Sequence, residues 1–299
     1  MAFFATRDQQ SLHVRVLGRG RPVLMLHGLG MQGRDWLPFV LPYLRRYRFY
    51  LPDLRGAGRS AGVRFNQADV FHNHMQDMED LVTHFGLRKL ALVGYSLGGS
   101  TSLHWRQQGD FSAVTRYLHI DQTPRIANGD DWPYGLFGDR QPVFFASLRA
   151  LLDLLDAYPH ARTADQLPAD ICRQVLHRLT AILAQVAGTP ALHRAYTATS
   201  LAAPLWARVL PLQQLDDIRA YLHAYLSGSH DYRAVFDDRA LPVTVLAGAR
   251  SPLYPVAGQA DFARRSGASL VRFEKSGHVP LVSQPLRFMR TLGRFLADH

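Results

Sequence analysis

Two hydrophobic textures alternate along the first part of this 299-residue chain. From Leu12 to about Pro124, short apolar runs give way to stretches in which apolar residues recur every three or four positions. The runs at 22–26, 48–51, 90–93 and 114–120 are each bounded by Gly, Pro or Asp. Runs this short and this uniformly apolar predict strands buried on both faces, as in a parallel sheet. Between the second and third, Phe71, Met75, Met78, Leu81, Val82 and Phe85 form one stripe at helical spacing, and Gly86 predicts its end. Strand alternating with helix implies right-handed crossovers. The predicted class is α/β, a mostly parallel sheet with helices on both faces.

The pattern changes at about residue 124. From there to 239 the strand signal vanishes, and 144–155, 169–187 and 213–227 read as amphipathic or strongly apolar helices. Strand character returns at 241–246 and 268–273, followed by a closing helix over about 284–296. The expected organisation is a core of residues 1–123 and 240–299 with a helical lid, 124–239, inserted over the carboxyl ends of the strands, where ligands bind in such sheets.

Composition narrows the class. With 47% apolar and 19% charged residues the chain can bury a large core. Neither a signal peptide nor a run of roughly 18 apolar residues is visible, so a soluble, cytoplasmic protein is expected. The single Cys172 can form no internal disulfide and has no partner for a zinc site; it reads as a buried thiol. The net charge of +10 comes from 32 Arg and 2 Lys against 22 Asp and 2 Glu. Residues 124–239 hold 11 basic and 12 acidic side chains, so the other 183 residues hold 23 and 12, a net of +11. Only Arg45-Arg46-Tyr47-Arg48 resembles a basic cluster, so nucleic-acid binding is not expected; the charge favours instead a weak attraction to anionic lipid or to an acidic carrier protein. No cofactor motif and no metal-ligand cluster is visible, and His72 and His74 are badly spaced for two ligands on one helix face.

Three motifs carry chemistry. Gly94-Tyr95-Ser96-Leu97-Gly98-Gly99 follows a predicted strand and opens a helix, which is the context of a G-x-S-x-G nucleophile elbow. Its small residues allow a turn tight enough to thrust the Ser96 hydroxyl out at a helix N-terminus. Leu26-His27-Gly28-Leu29-Gly30 follows another strand, so that the backbone N–H of Leu29 and that of Leu97 can face one point and form an oxyanion hole; His27 reads as structural. A serine hydroxyl needs a base, and Lys275-Ser276-Gly277-His278-Val279-Pro280 supplies His278 after the last strand.

These motifs, with Pro52-Asp53-Leu54-Arg55-Gly56-Ala57-Gly58-Arg59-Ser60, occur in the order and surroundings of the α/β-hydrolase fold, which the chain resembles over nearly its whole length. The resemblance implies a metal-independent, cofactor-free serine hydrolase, and Ser96 excludes the branches that use an aspartate nucleophile. It also implies a triad acid just after the strand at 241–246, in a pattern like G-x-x-D-x-x-x-P. Here Gly248-Ala249-Arg250-Ser251-Pro252-Leu253-Tyr254-Pro255 matches every fixed position except the acid. Three readings follow: Asp121, at the end of the preceding strand, replaces it, as in a subset of esterases of this fold; Glu274, Asp231 or Asp238 reaches His278; or the triad is degenerate. The expected activity is hydrolysis of a small carboxylic ester through an acyl-enzyme, with Tyr95, Phe144, Phe145 and Trp206 as candidate pocket residues alongside Leu151, Leu152, Leu154, Leu155 and Leu205. The alternatives are a thioesterase or lipid esterase on carrier- or membrane-presented acyl chains, and a low-turnover ligand-binding relative.

Overall fold

The computed structural model describes residues 2–187 and 214–297. Its frame is one eight-stranded sheet in the order β1-β2-β4-β3-β5-β6-β7-β8. The strands are β1 (Ala2–Ala5), β2 (Ser11–Gly18), β3 (Arg21–Leu26), β4 (Tyr47–Pro52), β5 (Leu90–Tyr95), β6 (Val114–Ile120), β7 (Val243–Gly248) and β8 (Ser269–Phe273). From β4 to β8 all neighbours are parallel; β2 runs antiparallel to β4, and β1 antiparallel to β2. The six parallel strands lie where the apolar runs predict them. The antiparallel pair at the edge is the part the apolar runs do not reveal. Their side chains are unevenly buried, with Leu12, His13 and Val14 all inside, so neither a continuous apolar run nor a strict alternation marks them.

The helices are α1 (Leu37–Val40), α2 (Val70–His84), α3 (Leu97–Gln108), α4 (Gln141–Asp156), α5 (Ala169–Ala187), α6 (Leu215–Leu226), α7 (Val256–Ser266), α8 (Pro280–Ser283) and α9 (Pro285–Ala297). The predicted stripe becomes α2. Its first turn is capped by the Asp69 carboxylate, which accepts from Phe71 N at 2.9 Å, and its end is turned by Gly86 at φ +59°. Two apolar layers sandwich the sheet. Trp36, Phe39, Phe288, Leu292 and Phe295 pack on one face under α1 and α9. On the other, Phe71, Met75, Met78, Leu103, Trp105 and Phe262 pack under α2, α3 and α7, and this core continues without a break into α4, α5 and α6. Those three helices occupy the stretch between β6 and β7; α4 packs against both α5 and α6, and α6 also meets α2. Among the described residues no helix is long and apolar enough to cross a membrane.

Candidate active site

Ser96 sits between β5 and α3 with φ +51° and ψ −113°, a conformation costly for any residue with a Cβ. The glycines around it explain how the turn is held. A Cβ on Gly98 would lie 2.4 Å from the Leu26 carbonyl oxygen, and one on Gly94 would lie 2.6 Å from that of Gly98. The elbow therefore rests directly on the end of β3. Backbone hydrogen bonds fasten it there: Ser96 N donates to Ile120 O (3.1 Å) and Gly98 N to His27 O (3.1 Å).

The Ser96 hydroxyl joins a continuous chain of hydrogen bonds. His278 Nε2 is 3.0 Å from Ser96 Oγ, and His278 Nδ1 is 2.7 Å from Asp121 Oδ2. Asp121 follows β6, is fully buried and has φ +43°, in the left-handed region that Asp tolerates better than most residues. Ser251, at the place after β7 where the customary acid is missing, donates its hydroxyl to Asp121 Oδ2 at 2.7 Å. Asp121 Oδ1 accepts from Gly248 N at 2.7 Å and from Gln259 Nε2 at 3.0 Å. A buried carboxylate is tolerable only when its lone pairs are so engaged. The other three acids are paired elsewhere: Glu274 with Arg272, Asp231 with Arg233 and Arg125, and Asp238 with Arg106.

The imidazole is held on its flat sides as well. Tyr95 and Tyr254 lie with ring centroids 5.3 Å and 5.7 Å from that of His278. Burial, reinforced by the nearby Asp121 charge, pushes the Tyr95 phenol well above its usual pKa, and burial does the same for Tyr254, so both remain neutral packing groups. The loop bearing His278 touches the end of β7 so closely that a Cβ on Gly248 would lie 2.1 Å from Gly277 O.

Leu29 and Leu97 flank Ser96 from the loop after β3 and from the first turn of α3, whose leading N–H groups have no partner within the helix. His27 braces the first of these: its Nδ1 donates to Gly28 O (2.9 Å), while its Nε2 accepts from Leu54 N (3.0 Å). Burial holds its pKa below the usual value, so it is neutral. Leu54 is in turn fixed by Asp53, which accepts from Gly33 N and Arg59 N at 2.7 and 2.9 Å.

Two cavities meet at Ser96. One is narrow and almost wholly apolar; Leu29, Phe144, Leu148, Leu151, Leu179 and Tyr254 are among its walls. The other is an open cleft along Gly28, Met31, Arg34, Asp35, Tyr95, His278 and Val282. Of the expected pocket residues, Phe144 and Leu151 line the chamber and Tyr95 the cleft. Phe145 is a correction: it is buried but turned into the packing between helices, as are Leu152 and Leu155, because successive residues on a helix diverge in direction. Leu154 packs against the same core and is not part of either wall. Leu205 and Trp206 lie outside the described residues.

Sequence reasoning misses Gln259, which no motif marks because it reaches Asp121 from the far side of α7. It also misses Ser251 as a donor, since that position is conspicuous only for the acid it lacks. A third group is invisible for the same topological reason. Asp69, His104 and His230 are distant in the chain, yet the fold brings one ligand atom of each within 4.8 Å of the others, away from the Ser96 site.

A family model described as the alpha/beta hydrolase fold matches residues 21–285, nearly nine-tenths of the chain. The chain belongs to the α/β-hydrolase-fold family. A pimeloyl-[acyl-carrier protein] methyl ester esterase of Chromobacterium violaceum is 27% identical over 287 residues, covering 96% of this chain and 98% of its own. Among solved structures, an esterase from Exiguobacterium antarcticum superposes with a TM-score of 0.70 at 18% identity, covering 99% of both chains. An enol-lactonase from Burkholderia xenovorans gives a TM-score of 0.71 at 17% identity, over 99% of this chain and all of the other. At those identities the two structures speak for the fold alone.

Proposed function

We propose that the chain is a carboxylic ester hydrolase in which Ser96 is the nucleophile, His278 the general base and acid, and Asp121 the orienting carboxylate. The observation that carries this is the unbroken chain Ser96–His278–Asp121 opening on an apolar chamber. Ser96 Oγ attacks the ester carbon while His278 Nε2 takes the hydroxyl proton. The charge on the former carbonyl oxygen is received by the Leu29 and Leu97 N–H groups; one such donor is worth about 100- to 1,000-fold in kcat. Collapse of the intermediate expels the alcohol with the proton from His278. Water, deprotonated by the same imidazole, then attacks the acyl-enzyme, and the acid leaves with Ser96 restored. Asp121 keeps Nδ1 protonated, so that Nε2 is the basic nitrogen, and balances the imidazolium that forms in each step.

The two cavities divide the substrate. The apolar acyl or aryl group enters the chamber under the helical insertion at 124–239, which serves as a lid, and the alcohol side faces the open cleft. Ser96→Ala is expected to abolish turnover of p-nitrophenyl acyl esters and the transient acyl adduct seen by mass spectrometry. A folded Ser96→Ala protein with undiminished turnover would overturn the assignment.

A second reading is favoured by charge. The residues outside 124–239 carry a net +11, and the Chromobacterium relative is named for an acyl-carrier-protein ester. A substrate presented on an acidic carrier should lose kcat/KM steeply between low and physiological salt, because exposed charges are screened beyond about 8–10 Å. A free p-nitrophenyl ester serves as the uncharged control, and equal, flat profiles for both would dismiss carrier recruitment.

A further inference from the structure

The Asp69, His104 and His230 cluster serves no purpose in the reaction above. Asp69 is the cap of α2; its Oδ1 accepts from Phe71 N at 2.9 Å, and its Oδ2 is 2.9 Å from His230 Nε2. His104 lies on α3, two helical turns beyond Ser96. Its Nδ1 is 2.9 Å from Tyr232 Oη, and its Nε2 is buried without any hydrogen-bond partner. Both rings are over nine-tenths buried, with exposures of 6% for His104 and 7% for His230. A buried polar nitrogen with nothing to bond is costly, and it lies in a cluster that already holds a carboxylate and a second imidazole.

We propose that Asp69, His104 and His230 form a binding site for one divalent transition-metal ion of the zinc class. Two imidazole nitrogens and one carboxylate oxygen suit Zn²⁺, Co²⁺ or Ni²⁺, whereas Mg²⁺ and Ca²⁺ prefer all-oxygen ligands. Ligands about 2.0–2.2 Å from a tetrahedral ion sit roughly 3.4 Å apart, so the present spread of up to 4.8 Å closes with small side-chain rotations. Asp69 is only partly buried, and its Oδ2 already lies against His230 Nε2 while Oδ1 keeps the helix cap. Asp69 and His230 also line a surface depression with Ala68 and His223, which gives the cluster a route to solvent.

The surroundings support the ligands. Tyr232 Oη can accept from Nδ1–H and thereby present Nε2 to the metal, the usual arrangement behind a ligating histidine. His72 stands edge-on to His104 at 5.7 Å with its Nε2 beside Gln76, and is a spectator.

The site would act as a staple. Asp69 and His104 belong to the core, while His230 lies on the segment that brings the insertion back to it; there Tyr232 N donates to Pro124 O at 2.8 Å, and Arg125 bridges Asp231. An ion at this junction stabilises the docking of the lid and takes no part in ester cleavage.

The test is titration of the full-length, chelator-treated protein with Co²⁺. One equivalent should produce the visible absorption bands of a tetrahedral site, Zn²⁺ should displace them, and Zn²⁺ should raise Tm. Asp69→Asn keeps the helix cap but removes the charge, and should weaken binding at least tenfold; Tyr232→Phe should weaken it about tenfold through the lost outer partner. His104→Ala should abolish the bands, but because it also opens the core, Asp69→Asn is the deciding variant. Absence of bands in the wild type overturns the proposal. So does equal Co²⁺ affinity in wild type and Asp69→Asn, which would place the ion on surface histidines.

Discussion

Asp121 holds four hydrogen bonds, from Ser251, Gly248, Gln259 and His278, and these satisfy the oxygens of a carboxyl group that has no exposure to water. Asp121→Asn keeps the shape but offers Nδ1 the wrong partner, and is expected to lower kcat by about 10,000-fold. Ser251 shares the same carboxylate oxygen with His278, so a longer acidic side chain at that position would extend toward the imidazole from the end of β7. The double variant Asp121→Asn/Ser251→Asp should therefore recover at least tenfold over Asp121→Asn, by returning the acid to the end of β7. Steady-state kinetics on one p-nitrophenyl ester decide it; a double variant as slow as the single would show that the two positions cannot exchange roles. The residues of the site were legible to unequal degrees. Ser96 and His278 stand in motifs whose backbone needs are local. Asp121 was visible as one of three readings, because an acid absent from one strand end drew attention to the next. Gln259 was not visible at all, since its contact is set by how α7 packs rather than by any pattern around it.

At the scale of elements, helices of the stretch between β6 and β7 supply much of the chamber wall beside Ser96. α4 presents Phe144, Leu148 and Leu151 to the chamber and turns Phe145, Leu152 and Leu155 into the core. Its apolar residues are so numerous that sequence could mark the helix but not which of its sides faces the cavity. Replacing Leu148 by Trp adds volume to the chamber wall and should shorten the preferred acyl chain. One methylene in an apolar pocket is worth about 1–3 kcal/mol, so each carbon beyond the new limit should cost at least tenfold in kcat/KM, with acetyl esters little affected. An unchanged chain-length profile would mean that the acyl group lies elsewhere, along the cleft. The same helix shows why the parallel strands were easier to read than the edge pair. β3, β5 and β6 are covered on both faces and leave continuous apolar runs, whereas β1 and β2 close the sheet's rim, where side chains such as Phe3 remain exposed and the pattern blurs.

For the molecule as a whole, the buried histidines set the response to acid. Burial pushes His74 down to about 3 and His104 and His119 to about 4, and it lowers His27 as well. Each is neutral in the fold and titrates near 6.5 once unfolded. Between those values the unfolded chain binds more protons, so this contribution to stability is intact above pH 6.5 and is lost as the pH falls. Asp77 and Asp217 work in the opposite sense, since burial lifts both to about 6 and the folded state takes up their protons first. The histidines outnumber them and begin to titrate half a unit higher. The net expectation is a loss of about 1 kcal/mol between pH 7 and pH 6 from the linkage of His74, His104, His119, Asp77 and Asp217, with His27 acting in the same sense as the other histidines. Denaturant unfolding at constant ionic strength and with a chelator present, so that no metal occupies His104, measures it directly. A free energy of unfolding that is flat or rises on acidification over this interval would show that the four imidazoles are charged in the fold, or that water reaches them. His27 would then be charged behind Leu29, and its Nε2 could no longer accept from Leu54 N.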